Sequence, residues 1–182
     1  MKISFSQVCR DYLALRGESP DLLPLLEEGE EGSVLTLTDE LRVRIQQLAE
    51  EAEAAFPRLA HDELRKAACP VHPESTGCLR IRLPNDYLKL HTLRMSDWNE
   101  PVTETEPDGS LRGTLGRNAP KWMACRHNPM VREERDVDGL FLRVYGSTAE
   151  ETETELIYVA RPYFDGEYLT ISRAAYRELL KP

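Results

Sequence analysis

The stretch RIRLPNDYLKLHTLRMSDW, residues 80–98, passes from one strand pattern into another. Ile81 and Leu83 alternate with arginines, which is the two-residue period of a strand buried on one side. A proline follows, and a second strand pattern begins in which the apolar residues first take even positions and later odd ones. Leu90 closes the even series and Leu93 opens the odd series. The stretch therefore predicts two β-strands, of which the second changes the face that it buries.

The proline and the change of phase each predict a local geometry. Pro84 fixes its own φ and favours an extended conformation for the residue before it. Asn85 and Asp86 suit a turn into the second strand. A change of face within one strand is what a β-bulge produces, and we place the bulge at His91 and Thr92. Such a strand suits a curved sheet or a sheet that lies against a neighbour.

Composition and charge exclude several classes of protein. The chain has 182 residues, of which 41% are hydrophobic and 30% charged, as in a globular protein with a core. No apolar run approaches the length of about 20 residues that spans a membrane, and the N-terminus lacks the apolar core of a signal peptide. We therefore expect an intracellular protein without a targeting segment. A net charge of −9 disfavours broad binding of nucleic acid through phosphate contacts.

The first third of the sequence has the period of helices. FSQVCRDYLAL, residues 5–15, carries an apolar stripe, and Gly17 follows as a stop. A longer helix is predicted from Thr38, as its N-cap, to Phe56. The apolar stripe resumes after Pro57, which predicts a further helix that ends at the next Cys-Pro pair.

From residue 77 the apolar period changes from 3.6 to 2. Strands are predicted at 78–83, 87–95, 101–105, 140–145 and 155–160. A long loop is predicted over 110–137, with one short strand near 121–125, and a short helix closes the chain. This order indicates an α+β fold: an N-terminal helical bundle part, a small antiparallel β-sheet or sandwich, and a short C-terminal helix. The corresponding division is 1–70 and 71–182, which we expect to form one compact unit.

The residues that commonly catalyse reactions or bind metals lack the spacing of known sites. The sequence contains no phosphate-binding loop, no nucleophile elbow and no HExxH zinc motif. Cys69, His72 and Cys78, with Cys125 and His127 downstream, come closest to a zinc site, but their spacing matches no common template. A disulfide is a second interpretation, and reduced, partly buried thiols are the third, which we favour for an intracellular chain. We predict no catalytic residue, no cofactor and no metal.

An enzyme would have to assemble its active site from scattered residues. His127 and the acidic side chains of 133–138 are the candidates for such a site. Their spacing is that of neither general acid–base catalysis nor metal binding. We therefore predict that the chain is not an enzyme.

Large apolar residues in the β region are candidates for contacts with other subunits. Trp98 precedes a turn, and it is either the anchor of a sheet corner or a residue that packs on a neighbouring chain. Trp122, Met123 and Met130 lie in the predicted long loop, where exposed apolar residues would bind a second subunit or another protein. We take all four residues as interface candidates.

Short motifs of the chain resemble tailed-phage head–tail connector proteins, also called adaptor, neck or tail-tubular-like proteins. The resemblance is carried by LPNDYL and by LRMSDWNEPV, and extends as a pattern of short pieces over roughly residues 38–180. The matching residues are Leu83, Pro84, Asp86, Tyr87, Trp98 and Pro101. An amphipathic helix with alanines precedes these motifs, IQQLAEEAEAAFP at 45–57. The element LIYVARP at 156–162, followed by a helix, comes after them.

The resemblance implies a structural virion protein without catalytic activity. Proteins of this type dock on the portal ring, form with copies of themselves a ring that is dodecameric in the virion, and enclose part of the DNA passage. The implied partners are other copies of the chain, the portal protein, tail components, and DNA that passes without sequence-specific binding, but no membrane. The implied location is the head–tail junction of the virion, and the host cytoplasm during assembly. The chain departs from such proteins by closing with a short helix instead of a longer helical segment and tail.

Two acidic runs fit this interpretation. EEGEEG at 27–32 and AEETETE at 149–155 would line the passage and repel DNA phosphates, so that DNA slides without adhering. The competing interpretation of both runs is a pair of solvated loops. The competing function for the chain is a soluble binding module, zinc-stabilised if its cysteines hold a metal, and also without catalytic activity.

Overall fold

The computed structural model describes residues 1–17, 31–74, 78–107, 124–137, 139–147 and 154–181, with the backbone alone for 31–36. In these residues the chain forms ten strands and three helices. In chain order they are β1 (Lys2–Ser4), α1 (Phe5–Leu15), α2 (Glu31–Glu51), β2 (Leu64–Ala67), β3 (Val71–Pro73), β4 (Leu79–Arg82), β5 (Tyr87–Met95), β6 (Met130–Asp136), β7 (Gly139–Tyr145), β8 (Thr154–Ala160), β9 (Tyr163–Phe164), β10 (Tyr168–Thr170) and α3 (Arg173–Leu179).

The fold class predicted from the sequence is wrong. Strands outnumber helices in the described residues, and they form three sheets with the orders β1–β10–β9, β2–β8–β5 and β3–β4–β7–β6. These residues contain no N-terminal helical bundle, because α1 and α2 pack with a small sheet and α2 also packs with the C-terminal helix α3. The apolar stripes that predicted a bundle are thus buried against a mixed layer of strands and one short helix.

The chain divides into two compact units. Unit 1 comprises residues 1–63 and 160–182, and unit 2 is the continuous segment 64–159. The sequence-based division into 1–70 and 71–182 follows chain order. In the structure the two ends of the chain meet in unit 1, where β1 pairs antiparallel with β10.

Unit 1 packs the three helices with the sheet β1–β10–β9. α1 confirms the helix predicted at 5–15, and Gly17, whose φ is +75°, confirms the predicted stop. α3 begins at an N-cap, Ser172, whose Oγ accepts a hydrogen bond of 3.1 Å from the Ala175 N–H. Buried apolar side chains from all three helices and from β10 form the core: Val8, Tyr12, Leu13, Leu41, Ile45, Leu48, Leu169, Ala175 and Leu179.

The second helix differs from its prediction at both ends. α2 begins at Glu31, so Thr38 lies inside the helix and is not its N-cap, and it ends at Glu51, before the predicted end. The further helix predicted after Pro57 is also wrong, because Leu64–Ala67 forms β2. The sequence LRKA favours a helix by itself. Pairing with β8, which is rich in residues that favour strands, overrides that local preference.

Unit 2 consists of the three-stranded sheet β2–β8–β5 and the four-stranded sheet β3–β4–β7–β6. The predicted strands at 78–83, 87–95, 140–145 and 155–160 are confirmed, each to within one residue, as β4, β5, β7 and β8. The strand predicted at 101–105 is wrong. Of that segment, Val102 alone forms a bridge, to Leu93 of β5.

β5 changes its buried face where the sequence predicts a bulge. Leu90 is buried in the first half of the strand, and Leu93 and Met95 are buried in the second. His91 Nδ1 lies 2.9 Å from Thr92 Oγ1. Tyr87, at an odd position in the first half, is also buried, and the bulge at His91 and Thr92 stays a prediction.

The loop predicted over 110–137 contains a strand. β6, with the sequence MVREERD at 130–136, forms a hairpin with β7 in which Asp136 pairs with Gly139. The strand near 121–125 and the acidic runs at 27–32 and 149–155 lie for most of their length outside the described residues. Within the described ranges, no helix is long and apolar enough to cross a bilayer.

Candidate functional site

The motif LPNDYL occupies the turn between β4 and β5, where the chain passes from the four-stranded sheet to the three-stranded one. Pro84 begins this turn, and its carbonyl accepts a hydrogen bond of 3.0 Å from the Tyr87 N–H. Asp86 is buried, and its carboxylate accepts hydrogen bonds of 2.7 Å from Arg65 Nη1 and 2.7 Å from the Tyr158 hydroxyl. Both donors belong to the three-stranded sheet, in β2 and β8. Asp86 therefore joins the turn to that sheet.

Tyr87 makes the corresponding contact with the other sheet. Its hydroxyl donates a hydrogen bond of 3.0 Å to Glu133 Oε2 on β6, and its ring centroid lies 5.8 Å from that of Tyr158. Two consecutive residues thus bind one sheet each, and we call this arrangement the Asp86–Tyr87 clamp. Burial, together with the neighbouring carboxylates, raises the pKa of Tyr87 and of Tyr158 well above the ordinary tyrosine value. Both hydroxyls therefore stay protonated and donate at neutral pH.

The partners of the clamp could not be found from the sequence. Arg65 lies in a segment whose pattern predicts a helix, and Glu133 lies in a predicted loop. Tyr158 occupies an alternating strand, and this pattern indicates its buried face but not its partner. The sequence singles out Asp86 and Tyr87, and the structure assigns them a role in the fold: they hold two sheets of one unit together.

Of the remaining motif residues, Leu83 precedes the first turn, and Trp98 and Pro101 lie after β5. Leu83 and Trp98 are buried, whereas Pro101 is exposed. The Trp98 N–H donates to the Met95 carbonyl at 3.1 Å, and its indole Nε1 is buried with no acceptor among the described residues. Of the two interpretations that the sequence leaves open for Trp98, burial favours the anchor of a sheet corner.

The other interface candidates lie in different surroundings. Met130 is buried in a small cluster with Cys78, Ala124 and Tyr145, so its side chain contributes to the interior of unit 2. Trp122 and Met123 lie outside the described residues.

The candidate zinc ligands form hydrogen bonds of their own. The Cys69 N–H donates to Thr154 Oγ1 at 3.0 Å, and burial raises the pKa of the Cys69 thiol. Cys78 is buried, and its Sγ lies 3.2 Å from Glu74 Oε2. His72 is exposed on β3. In the described part of the chain, no three His, Cys, Asp or Glu side chains are grouped as metal ligands.

The residues considered for an enzyme are dispersed. His127 Nδ1 lies 2.8 Å from Asn99 Nδ2. Glu133 binds Tyr87, and Glu134 and Asp136 form ion pairs with Arg143 and Arg80. These acidic side chains therefore have structural partners of their own.

A row of arginines crosses the four-stranded sheet. Arg80 of β4, Arg143 of β7 and Arg132 of β6 lie directly opposite one another and so share one face of the sheet. Like charges in that position repel, which requires compensation nearby. Arg132 is 2% exposed, so this row is partly an interior feature.

Acidic residues on the same sheet supply the compensation. Arg143 binds Glu74 at 3.1 Å and Glu134 at 2.6 Å, and Arg80 binds Asp136 at 2.5 Å. Arg80 and Arg143 already have carboxylate partners, and Arg132 is buried, so the row is suited to fixing the sheet and not to capturing an external anion. The alternation of arginines in β4 is the one sequence signal that points to it.

A concave surface lies between residues 100–107, where Val102 bridges to Leu93 of β5, and residues 127–131. It encloses about 330 Å³ and is lined by Glu100, Glu104 and Glu106 among prolines and threonines. Its base is held by a hydrogen bond of 2.8 Å from the Glu106 N–H to the Val131 carbonyl. We call this surface the acidic cleft. Three carboxylates at a concave surface favour cationic groups over anionic ones.

Comparison with known proteins adds no family to this description. The chain matches no protein-family model, and a comparison with curated protein sequences gave no match.

Proposed function

We propose that the chain is a structural virion protein of a tailed phage, namely a head–tail connector or adaptor. In this proposal copies of the chain form a ring, dock on the portal protein and bind tail components. DNA passes through the ring without sequence-specific contacts. The place of action is the head–tail junction, and the protein resides in the host cytoplasm during assembly.

One observation carries the proposal. The residues that resemble connector proteins are concentrated at structurally constrained positions of unit 2: Leu83, Asp86, Tyr87 and Trp98 are all buried. Asp86 and Tyr87 also form the clamp between two sheets. A likeness at buried positions is what a common fold would require, and the two prolines of the set, Pro84 and Pro101, are partly or fully exposed.

The charge of the chain supports the passage of DNA. A ring of copies that each carry a net charge of −9 would repel phosphates, so that DNA would slide without adhering.

The experiment begins with the reading frames on either side of the gene. We expect a portal, a large terminase or a major capsid protein among them. The purified chain is then mixed with that neighbouring portal, with a portal from an unrelated phage as the control, and the products are viewed by negative-stain electron microscopy. The expected result is a ring on the neighbouring portal and none on the control. Neighbouring genes that encode metabolic enzymes would overturn the proposal, and so would a folded chain that forms no ring on the neighbouring portal.

A further inference from the structure

The three-stranded sheet of unit 2 has an inner and an outer face. Arg65 and Tyr158 point inward to the clamp. The register pairs Leu64 with Val159 and Lys66 with Ile157, which places these four residues on the opposite, outer face. Arg94 joins them from β5, because its neighbours Leu93 and Met95 are the buried ones.

The middle of this outer face is apolar and accessible. Leu64 is 50% exposed, and Ile157 and Val159 beside it are partly exposed. Adjacent exposed aliphatic side chains on a sheet favour contact with another protein surface. A nucleic-acid backbone would gain little from them.

The margin of the outer face is basic. Lys66 Nζ lies 2.5 Å from Glu155 Oε1. The hydrogen bond and charge of Lys66, with a further contribution from Arg94, lower the pKa of the Glu155 carboxyl. Two cations thus share one anion, and the face carries a local positive charge on a chain whose net charge is −9.

A second copy of the chain offers a surface that complements this face. The acidic cleft presents the exposed Glu100 and Glu104, with Pro101, Val102 and Pro107 between and beside them. The cleft is concave and acidic, whereas the outer face is partly apolar with a basic margin. Opposite local charges of this kind direct two copies into one register.

We infer that the outer face of one copy, centred on Leu64, Lys66 and Arg94, docks on the acidic cleft of a second copy. The inference rests on the proposed function in so far as a ring requires a contact between copies. Beyond the proposed function, the inference identifies the two surfaces that make that contact.

The test is the association of the free chain, measured by sedimentation velocity over a range of concentration. The first variant carries Lys66→Glu and Arg94→Glu, and the second carries Glu100→Lys and Glu104→Lys. We expect each variant alone to associate at least about tenfold more weakly than the wild type, because like charges then face each other. We expect a mixture of the two variants to associate again, because the reversed face of one complements the reversed cleft of the other.

The matched control carries Arg82→Glu and Arg135→Glu, the same change of charge at exposed positions of the four-stranded sheet. It should associate as the wild type does. Circular dichroism checks that each variant is folded. Should Lys66→Glu and Arg94→Glu unfold the chain, Lys66→Gln and Arg94→Gln replace them, with a smaller expected loss.

A wild-type chain that remains monomeric at the highest concentration reached overturns the inference, whatever it does with a portal. Association that the variants leave unchanged, or variants that do not recombine when mixed, overturns it as well. Binding of a short DNA duplex that depends on Lys66 and Arg94, without self-association, would assign the face to nucleic acid instead. If the chain associates as expected but does not bind its portal, the inference stands and the proposed connector function is overturned.

Discussion

Each unit contains a tyrosine that donates to a carboxylate beside arginine, and the two arrangements differ in burial. In unit 2, Tyr158 and Arg65 bind Asp86, whose side chain is 8% exposed. In unit 1, the Tyr12 hydroxyl donates to Glu40 Oε1 at 2.5 Å, but the Glu40 side chain is 37% exposed. The two networks contain the same kinds of chemical group, but water reaches the carboxylate of Glu40 far more easily than that of Asp86.

The exposure of the carboxylate determines how much such a network stabilises the fold. Water solvates Glu40 whenever a partner leaves, so each contact in unit 1 replaces a bond to water at little net gain. Asp86 has little access to water, and loss of a partner leaves a poorly compensated charge in the interior. Burial, and not the number of contacts, should therefore decide how much each network contributes to stability.

Removal of Arg65 should have the largest effect. Arg65→Met leaves the buried Asp86 with the Tyr158 hydroxyl as its remaining side-chain partner among the described residues, and we expect the free energy of unfolding to fall by about 3 kcal/mol. Urea denaturation measures it. Arg65→Lys, which keeps the charge, should retain most of the stability. A loss as small as that of an exposed ion pair would show that burial does not set the difference between the units.

Loss of one tyrosine hydroxyl in the clamp should cost less. Tyr158→Phe keeps the ring and removes the hydrogen bond to Asp86, so we expect the free energy of unfolding to fall by about 2 kcal/mol. Tyr87→Phe removes the bond to Glu133 and serves as a parallel measurement. Equal stability of wild type and both variants would mean that the clamp is held by its rings alone.

The clamp tyrosines should also make the fold sensitive to alkali. Their folded pKa values are raised, so above a pH of about 10 the unfolded chain loses tyrosine protons that the folded chain retains. The unfolded state then binds fewer protons, and stability falls as pH rises, by about 1.4 kcal/mol per pH unit for each tyrosine. Tyr158→Phe should make this decline shallower by that amount in urea titrations at a series of alkaline pH values. An unchanged slope would contradict the assignment.

The matched change in unit 1 should have a small effect. Tyr12→Phe removes the bond to Glu40, which water can replace, and we expect a loss of about 0.5 kcal/mol. The same urea titration detects it. A loss as large as that of Tyr158→Phe would mean that the two networks are equivalent in spite of their burial.

The smallest effect should come from an exposed pair within unit 2 itself. Lys66→Gln breaks the ion pair with Glu155 on the outer face, where both side chains reach water. We expect no measurable change in the urea midpoint. A clear destabilisation would show that position in unit 2, and not burial, sets the size of these effects.

Most of what could be predicted from the sequence concerns elements with a strong period. β5 was predicted with its bounds and its change of face, because Leu90, Leu93 and Met95 mark the buried positions directly. β6 could not be predicted, because charged residues occupy the positions that an alternating strand usually fills with apolar ones. Glu134 and Asp136 are paired there with Arg143 and Arg80 of the neighbouring strands β7 and β4. A pattern of hydrophobicity has no means of indicating cross-strand charge compensation.

Short segments and partners set the other limit. β1, β9 and β10 have two or three residues each, which is too few to show a period. The LRKA segment of β2 became a strand because β8 lies beside it, a cause that is remote in the sequence. For the candidate site, Asp86 and Tyr87 could be singled out by resemblance, but their partners Arg65 and Glu133 depend on the same long-range pairing.

The division of the chain has a consequence for synthesis on the ribosome. Unit 2 is one continuous segment, whereas unit 1 needs β10 to pair with β1 across residues 2 and 170. All of 64–159 therefore emerges before unit 1 can close its sheet, and segments that are complete tend to fold first. The sheet of unit 1 cannot close until β9 and β10 have emerged, whereas α1 and α2 can contact each other earlier. We therefore expect the nascent chain to complete its middle segment before its N-terminal one.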